Sequence, residues 1–242
     1  MRLTVCIPMY NESAVIAQTA KALSDYMAAN FEDYEILFSD DGSRDGSSEV
    51  VKALGLPKVR VLENPVNQGK GAAIRAAMLE ATGDYVMFTD ADLAYGVEVI
   101  GRVAEAFRAN PEKDLIIGSR NLDKEGYAGY TVARRVASKV YIGVLCVVGG
   151  FRLSDSQCGC KAFTAEAAKS IFQRCEVNGF AFDFEALLWA EKLGLSIFEM
   201  PVKIINHRAS KINLLRDSVR MLRDLMRIRR HVNRAAKAEK RK

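Results

Sequence analysis

The sequence predicts an α/β fold in which a mostly parallel sheet carries helices on both faces. In the first half of the chain, short apolar runs alternate with longer segments of helical period, at the spacing of strand–helix–strand units. Polar clusters follow three of these runs, as expected where strands end at a ligand-binding edge. The 242 residues are 49% hydrophobic and 27% charged, which is the composition of a globular protein rather than a disordered one.

The predicted elements follow one another in a regular order. Five strands are expected at residues 3–7, 34–38, 59–62, 85–89 and 115–117, and four helices at 13–29, 47–54, 71–81 and 97–110. The second half of the chain is less regular and shows neither repeats nor a linker. We therefore expect one domain over residues 1–206, followed by a basic helical tail over residues 207–242.

Asp90 and Asp92 directly follow the fourth predicted strand, with one alanine between them. Two carboxylates at this spacing can share a hard divalent cation such as Mg²⁺ or Mn²⁺, whose remaining positions are filled by phosphate oxygens. Such a cation stabilises a diphosphate as a leaving group. The alternative is a strand-end aspartate that caps the next helix.

Two further clusters stand at predicted strand or helix ends. Asp40 and Asp41 open a turn-rich loop, where a carboxylate can accept from a nucleobase or ribose, or can form an Asx turn before the next helix. Lys70 stands between Gly69 and Gly71 at a helix start. Its ammonium group and the helix N–H groups suit an anion, although an ordinary helix cap explains the glycines equally well.

Four motifs, taken in order, resemble those of family 2 glycosyltransferases with the GT-A fold, which is Rossmann-like. They are Pro8-Met9-Tyr10-Asn11-Glu12, Asp40-Asp41-Gly42-Ser43-Arg44-Asp45-Gly46, Asn67-Gln68-Gly69-Lys70-Gly71 and Asp90-Ala91-Asp92-Leu93. Three later segments resemble polyprenyl-phosphate glycosyltransferases, and most of all the dolichyl-phosphate β-glucosyltransferase branch. They are Gly118-Ser119-Arg120, residues 155–163 (DSQCGCKAF) and residues 181–187 (AFDFEAL).

This resemblance implies which side chains bind a nucleotide-sugar donor. Those implied to hold the nucleobase and ribose are Pro8, Tyr10, Glu12 and either Asp40 or Asp41. Asp90 and Asp92 would hold the Mg²⁺ or Mn²⁺ ion and the diphosphate, with Lys70 beside them. Arg208 and Lys211 would belong to a segment that folds over the diphosphate, the alternative being a plain loop before the tail helix.

The resemblance also implies a lipid phosphate as acceptor. The residues implied to bind it are Ser119, Arg120, Arg134 and Ser138. Arginine suits phosphate because its planar guanidinium donates two parallel hydrogen bonds, although Arg134 could instead be a solvated helix residue. Asp155 is expected to orient or deprotonate the acceptor. Asp183 and Glu185 are alternatives for this catalytic role, and either could instead cap a helix N-terminus.

The last 36 residues differ in charge from the rest of the chain. Residues 207–242 hold 13 Lys/Arg and 3 Asp/Glu, whereas the preceding residues hold 22 and 27. On a helix, six arginines form one stripe: Arg216, Arg220, Arg223, Arg227, Arg230 and Arg234. An apolar face beside it comprises Leu215, Val219, Leu222, Leu225 and Met226. This pattern predicts either a helix in a membrane interface or a helix packed on the protein body.

The expected location is cytoplasmic, peripheral on the cytoplasmic face of a membrane. No signal peptide is recognisable, and no apolar run reaches the roughly 20 residues that a spanning helix needs. The odd number of cysteines, five, favours reduced thiols. Nucleic acid is not an expected partner, because the basic tail lacks interleaved aromatic residues.

The resemblance implies an inverting glycosyltransferase that moves glucose from UDP-glucose to a polyprenyl, dolichyl-type phosphate. The first alternative keeps the chemistry but uses GDP-mannose as the donor. A second alternative is a non-catalytic protein that binds a nucleotide sugar or a lipid phosphate. The intact pair Asp90 and Asp92 argues against that second alternative, because binding alone does not require a metal-assisted leaving group.

Overall fold

The computed structural model describes residues 1–206 and a final helix over residues 214–239, with the side chains of that helix described from residue 223 onward. In these residues a single sheet of seven strands has the order β3-β2-β1-β4-β6-β5-β7. The strands are β1 (Leu3–Met9), β2 (Tyr34–Asp40), β3 (Val59–Glu63), β4 (Tyr85–Phe88), β5 (Leu115–Ser119), β6 (Lys161–Thr164) and β7 (Ile197–Pro201).

Helices cover both faces of this sheet. They are α1 (Ser13–Asn30), α2 (Ser47–Ala53), α3 (Lys70–Glu80), α4 (Glu98–Ala109), α5 (Val132–Gly149), α6 (Ala165–Phe172), α7 (Phe182–Lys192) and α8 (Leu214–Glu239). The predicted five strands and four helices of the first half are confirmed, with ends that differ by one or two residues. The mostly parallel α/β architecture predicted from the alternating pattern is confirmed as well.

The second half adds two strands that the sequence did not predict. Strand β6 is antiparallel and lies between β4 and β5, while β7 pairs in parallel with β5 at one edge of the sheet. Because β6 is antiparallel to both of its neighbours, β4 and β5 run in the same direction. The carboxyl ends of β1, β2, β4 and β5 therefore meet at one edge, where β6 begins.

Alternate residues of the central strands pack into two apolar layers, one on each face of the sheet. In β1, Cys6 packs into the layer under α3, α6 and α7, while Val5 and Ile7 pack into the layer under α1, α2 and α4. The first layer includes Trp189 of α7, which is almost fully buried. Burial on both faces explains why the strands read as nearly continuous apolar runs.

Helix α8 closes the first layer from outside. Leu225, Ile228 and Val232 are buried among core residues, and α8 packs against α5 and α7. The predicted membrane-facing role is therefore wrong for Leu225, since the same apolar periodicity here serves packing on the protein body. Met226 stays partly exposed. The predicted division between residues 206 and 207 stays a prediction.

Four of the six arginines in the predicted stripe lie in the part of α8 whose side chains are described, and they face solvent. They are Arg223, Arg227, Arg230 and Arg234, all exposed. Among the described residues, no helix combines the length and the apolar character needed to cross a lipid bilayer.

Candidate active site

The polar clusters predicted at separate strand ends share one edge of the sheet. Strand β1 pairs in parallel with β2 on one side and with β4 on the other. The loop from Tyr10 to Glu12, the pair Asp40 and Asp41, and the pair Asp90 and Asp92 therefore lie along neighbouring strand ends. The prediction that these clusters converge is confirmed.

Lys70 and Asp90 form a close ion pair at this edge. Helix α3 begins at Lys70, whose Nζ atom lies 2.5 Å from Oδ1 of Asp90. Burial alone lowers the pKa of Lys70, but the carboxylates of Asp90, Asp183 and Asp92 outweigh it, so the pKa is raised. The ammonium group therefore stays charged, and it places a cation beside the two aspartates that are the metal candidates.

A second buried lysine joins this group, and sequence reasoning missed it. Lys161, the first residue of β6, is almost completely buried, and its Nζ donates to Oδ1 of Asp183 at 2.8 Å and to the carbonyl of Cys158 at 2.8 Å. Burial raises the pKa of Asp183, and the ammonium groups of Lys161 and Lys70 oppose that rise. The available signal was a lysine directly before the apolar residues Ala162 and Phe163. A lysine in such a buried segment requires a partner, and this would have predicted a nearby carboxylate.

The aspartate pair fits a divalent cation that arrives with a phosphate ligand. No group of three His, Cys, Asp or Glu side chains suited to a metal occurs among the described residues. Asp90 and Asp92 supply two carboxylates, which is the usual protein share for Mg²⁺ held with substrate phosphates. Gly159 keeps Asp90 accessible, since a Cβ atom there would lie 2.3 Å from Oδ2 of Asp90. The amide N–H of Ala94 donates to Oδ1 of Asp92 at 3.1 Å and so orients it.

The loop after β2 is held by its own carboxylates. Oδ1 of Asp40 accepts the amide of Ser43 at 2.9 Å, and Oδ2 accepts the hydroxyl of Ser48 at 2.5 Å. Asp41 accepts the amide of Gly69 at 2.7 Å and that of Gln68 at 3.0 Å. Both aspartates are buried. They fix the loop and tie it to the segment before α3. These contacts correspond to the alternative role for the motif, in which the aspartates form a turn.

A cavity of about 190 Å³ opens beside this loop. Tyr10, which is 44% exposed, and Asp40 line it together with residues of the 63–67 segment. Pro8 lies in β1 opposite Ser39, and the amide of Glu12 donates to Ser47. Of the predicted nucleobase and ribose residues, Tyr10 and Asp40 thus line the cavity, and the individual roles of all of them stay predictions.

The backbone part of the anion prediction at α3 is wrong. The amide of Gly71 donates to the carbonyl of Asn178 at 2.7 Å, and the amide of Ala72 donates to the same oxygen at 3.3 Å. A Cβ atom at Gly69 would lie 2.5 Å from that oxygen. These glycines therefore admit a neighbouring loop of the chain, whose carbonyl oxygen occupies the amides of Gly71 and Ala72, while the Lys70 side chain stays a candidate for an anion.

Two residues predicted for different roles form one buried ion pair. The Nε and Nη2 atoms of Arg120 donate to Asp155 at 2.6 and 2.9 Å, and the amide of Arg120 donates to the same carboxylate at 3.1 Å. Burial lowers the pKa of Arg120, but Asp155 outweighs it and the pKa is raised. Asp155 is completely buried. Ser119 bonds the hydroxyl of Ser154 at 2.6 Å nearby.

Tyrosines link this pair to the acceptor candidates on α5. The guanidinium of Arg120 lies 5.1 Å from the ring centre of Tyr127, and that of Arg134 lies 4.0 Å from the ring centre of Tyr130. Burial raises the pKa of Tyr127, and the neighbouring Ser138 hydroxyl opposes the rise. The structure therefore brings Arg120, Arg134 and Ser138 into one neighbourhood.

The remaining predicted site residues do not lie with Arg120, Arg134 and Ser138. Oε2 of Glu185 accepts the amides of Glu176 at 2.9 Å and Val177 at 2.8 Å, and the side chain is buried. Residues two apart on a helix do not share a face, so Asp183 and Glu185 meet different partners. The predicted donor residues Arg208 and Lys211 lie outside the described residues.

Known proteins similar to this chain cover nearly all of it. A sequence profile described as Glycosyl transferase family 2 matches residues 4–172. A dolichyl-phosphate beta-glucosyltransferase of Trichomonas vaginalis, ALG5A, is 32% identical over 222 residues, which are 88% of this chain and 68% of that protein. The dolichyl-phosphate beta-glucosyltransferase of Homo sapiens is 33% identical over 228 residues, or 87% of this chain and 69% of that protein.

Solved structures agree with the predicted GT-A fold. Glucosyl-3-phosphoglycerate synthase from Mycobacterium tuberculosis, in complex with Mn²⁺, uridine diphosphate and phosphoglyceric acid, matches with a TM-score of 0.71. The match covers 94% of this chain and 76% of that one, at 20% identity. By its sequence, the chain belongs to glycosyltransferase family 2, and it is a glycosyltransferase.

Proposed function

We propose that this enzyme transfers glucose from UDP-glucose to a polyprenyl, dolichyl-type phosphate, with inversion at the anomeric carbon. The observation that carries the proposal is the similarity to dolichyl-phosphate beta-glucosyltransferases at 32–33% identity, across 87–88% of the chain. An oxygen of the acceptor phosphate attacks the anomeric carbon, the bond from that carbon to the diphosphate breaks, and its electron pair leaves with UDP.

The donor part of the proposal rests on the cavity beside Tyr10 and on the charged side chains of Lys70, Asp90 and Asp92. The nucleobase would enter the cavity beside Tyr10 and Asp40, with the diphosphate directed towards Asp90 and Asp92. A Mg²⁺ or Mn²⁺ ion held by these two aspartates would neutralise the departing diphosphate. The uridine diphosphate and Mn²⁺ of the structural neighbour support this choice of donor class. Lys70 contributes a second positive charge, which its pairing with Asp90 holds in place.

The acceptor half rests on Arg120, Arg134 and Ser138. A phosphate monoester is already ionised near neutral pH, so it needs cations to bind it more than it needs a base. Asp155 holds Arg120 through two parallel hydrogen bonds to Nε and Nη2, so Nη1 is the guanidinium nitrogen that we propose for the phosphate. We therefore assign Asp155 the task of orienting Arg120, rather than deprotonating the acceptor.

The proposed membrane contact rests on an exposed apolar face of α5. The valine face comprises Val132, Val136, Val140, Val144 and Val147, all exposed and spaced by three or four residues. Arg135 and Lys139 are exposed on the same helix. An apolar helical face with basic neighbours suits the interface of a bilayer. Because α5 also carries Arg134 and Ser138, this contact would bring a lipid phosphate to the site. We accordingly propose a peripheral position on the cytoplasmic face of a membrane.

GDP-mannose is the competing donor, and a panel of substrates separates the two. Purified protein is incubated with UDP-glucose or GDP-mannose, Mn²⁺ and a short polyprenyl phosphate, and lipid products are detected by mass spectrometry. We expect hexosyl lipid from UDP-glucose. Product from GDP-mannose alone would change the donor, and transfer to a hydroxyl acceptor alone would remove the lipid phosphate.

The metal role is tested with Asp92→Ala. This variant is expected to lose at least a hundredfold in turnover, because one of the two carboxylates offered to the cation is gone. The exposed Asp25→Asn on α1 is the matched control and should behave as the unmodified enzyme. Full activity of Asp92→Ala, or activity that persists in excess chelator, would remove the metal from the proposal.

A further inference from the structure

A short loop closes over the start of the helix that carries Lys70. We name residues 175–179 the clamp loop. The carbonyl of Asn178 accepts the amides of Gly71 and Ala72 at 2.7 and 3.3 Å. A Cβ atom at Gly71 would lie 2.4 Å from the carbonyl oxygen of Val177. The clamp loop therefore contacts the first turn of α3 closely, at the residues directly after Lys70.

The clamp loop is itself held from two sides. Arg75, one turn further along α3, donates to the Asn178 side chain at 2.8 Å and to the carbonyl of Cys175 at 3.2 Å. From the other side, the buried Glu185 of α7 accepts the amides of Glu176 and Val177. Arg75 thus holds the loop near both of its ends and Glu185 holds its middle, each through more than one hydrogen bond.

We propose that the clamp loop positions Lys70 against Asp90, and that Glu185 and Arg75 act through it as positioning residues. Glu185 then serves the reaction by fixing backbone, not by moving a proton. The chain of contacts runs from Glu185 to the loop amides, from Asn178 to the first turn of α3, and from Lys70 to Asp90. The inference rests on the proposed donor site, because Lys70 matters only if a diphosphate binds beside it.

Hydrogen exchange tests the clamp without any substrate. The amides of Gly71 and Ala72 are read by mass spectrometry in the unmodified protein and in Arg75→Met. We expect exchange in the first turn of α3 to become at least tenfold faster, because the loop loses two hydrogen bonds. Arg108→Met, at an exposed arginine of α4, is the matched control. Unchanged exchange in Arg75→Met would overturn the clamp.

Double substitution tests whether the clamp works through Lys70. UDP binding in the presence of Mn²⁺ is measured by calorimetry for Arg75→Met, Lys70→Met and the double variant. Each single change is expected to weaken binding about tenfold, and the double variant about as much as Lys70→Met alone, since coupled residues are not additive. Additive losses would overturn the positioning role. If the unmodified protein did not bind UDP, the proposed function would fail, while hydrogen exchange would still decide the clamp.

Two substitutions at Glu185 separate positioning from catalysis by a base. In Glu185→Gln the side-chain oxygen of the glutamine can still accept hydrogen bonds from the backbone N–H groups of Glu176 and Val177. Turnover should therefore stay within a few-fold of the unmodified enzyme. A base would lose about a hundredfold or more in the same variant. Glu185→Ala should weaken UDP binding about tenfold, and Glu191→Gln, exposed on the same helix, is the control. A collapse of turnover in Glu185→Gln with unchanged UDP binding would restore Glu185 as the base.

Discussion

The Nζ atom of Lys70 lies 2.5 Å from Oδ1 of Asp90, and this contact joins the first residue of α3 to the first carboxylate after β4. The two residues come from segments 20 positions apart, and the parallel pairing of β3 with β2, of β2 with β1 and of β1 with β4 brings those segments to one edge. A diphosphate that binds at Asp90 and Asp92 therefore meets a lysine that is already in place. Pre-arranged charge of this kind stabilises a departing anion without further reorganisation.

Removal of the Lys70 charge should weaken use of the donor. We expect Lys70→Met to raise the KM for the nucleotide sugar by about ten- to a hundredfold, as loss of a charged contact to phosphate does. Lys70→Arg should recover part of this loss because it restores the charge. Steady-state kinetics measure both, with the exposed Lys21→Met as control. Equal KM values in all four proteins would contradict a role for Lys70 at the diphosphate.

A single methyl group at Gly159 should damage the metal site. The new Cβ atom of Gly159→Ala would lie 2.3 Å from Oδ2 of Asp90, so the carboxylate has to move. We expect Mn²⁺-dependent UDP binding to fall at least tenfold. Gly143→Ala in α5 meets no atom within 4 Å, and should leave binding unchanged and stabilise the helix by about 0.5 kcal/mol. Calorimetry reads the first effect and thermal unfolding the second.

Sequence reasoning reached the first half of the fold because its signals are local. Runs such as 3–7 and 85–88 are apolar on both faces, and the longer segments between them have helical spacing. Strand β6 gave no such signal, since it is four residues long and begins with Lys161. Its antiparallel place between β4 and β5 depends on long-range pairing, which a local pattern does not encode.

The site was predictable by residue type but not by partner. Strand-end position identified Asp90, and the resemblance to polyprenyl-phosphate glycosyltransferases pointed to Arg120 and Asp155. The bidentate contact of the last two joins positions 35 apart and appears only in three dimensions. The anion prediction at α3 failed for the same reason, because Asn178 takes the helix N–H groups from over 100 residues away. For α8, an amphipathic pattern cannot distinguish burial against protein from burial against lipid.

The Arg120–Asp155 pair should be costly to break from one side. Arg120→Met leaves a buried carboxylate without its counter-charge, for which we expect a loss of about 3 kcal/mol in the free energy of unfolding. The double variant Arg120→Met/Asp155→Leu should recover much of that stability yet bind no acceptor phosphate. Urea unfolding of the two variants checks this coupling. Strictly additive losses would show that the two side chains do not depend on each other.

Glu35 should make stability depend on pH in the acid range. Burial raises its pKa, but the amide of Thr82, the guanidinium of Arg60 and the hydroxyls of Thr4 and Thr82 outweigh burial, so the pKa is lowered. A lowered folded-state pKa contributes stability that is present above the unfolded value, about 4.3, and is lost as pH falls through the folded value. Glu35→Gln should therefore cost about 1–2 kcal/mol near neutral pH, and this difference should shrink below about pH 4.

Urea unfolding across that pH range provides the measurement for Glu35. Glu80→Gln, at an exposed position of α3, is the control and should follow the unmodified protein at every pH. A constant difference between Glu35→Gln and the unmodified protein from neutral to acid pH would show that the hydrogen bonds, and not the charge, supply the stability.

The valine face of α5 should carry membrane contact without carrying the fold. Val136 and Val140 are 55% and 62% exposed, whereas α5 buries Ile142 and Leu145 against the body. Val136→Ser/Val140→Ser should lower binding to vesicles with anionic lipid by about thirtyfold, since each valine contributes about 1 kcal/mol of apolar burial. The thermal midpoint should stay unchanged. Flotation with and without anionic lipid measures this, and Leu79→Ser, at a partly exposed leucine of α3, is the control.

Shortening the chain before α8 does not serve this test, because it removes Leu225, Ile228 and Val232 from the core. Unchanged flotation of the double valine variant would exclude α5 as the contact and leave the exposed arginines of α8 as the remaining candidates.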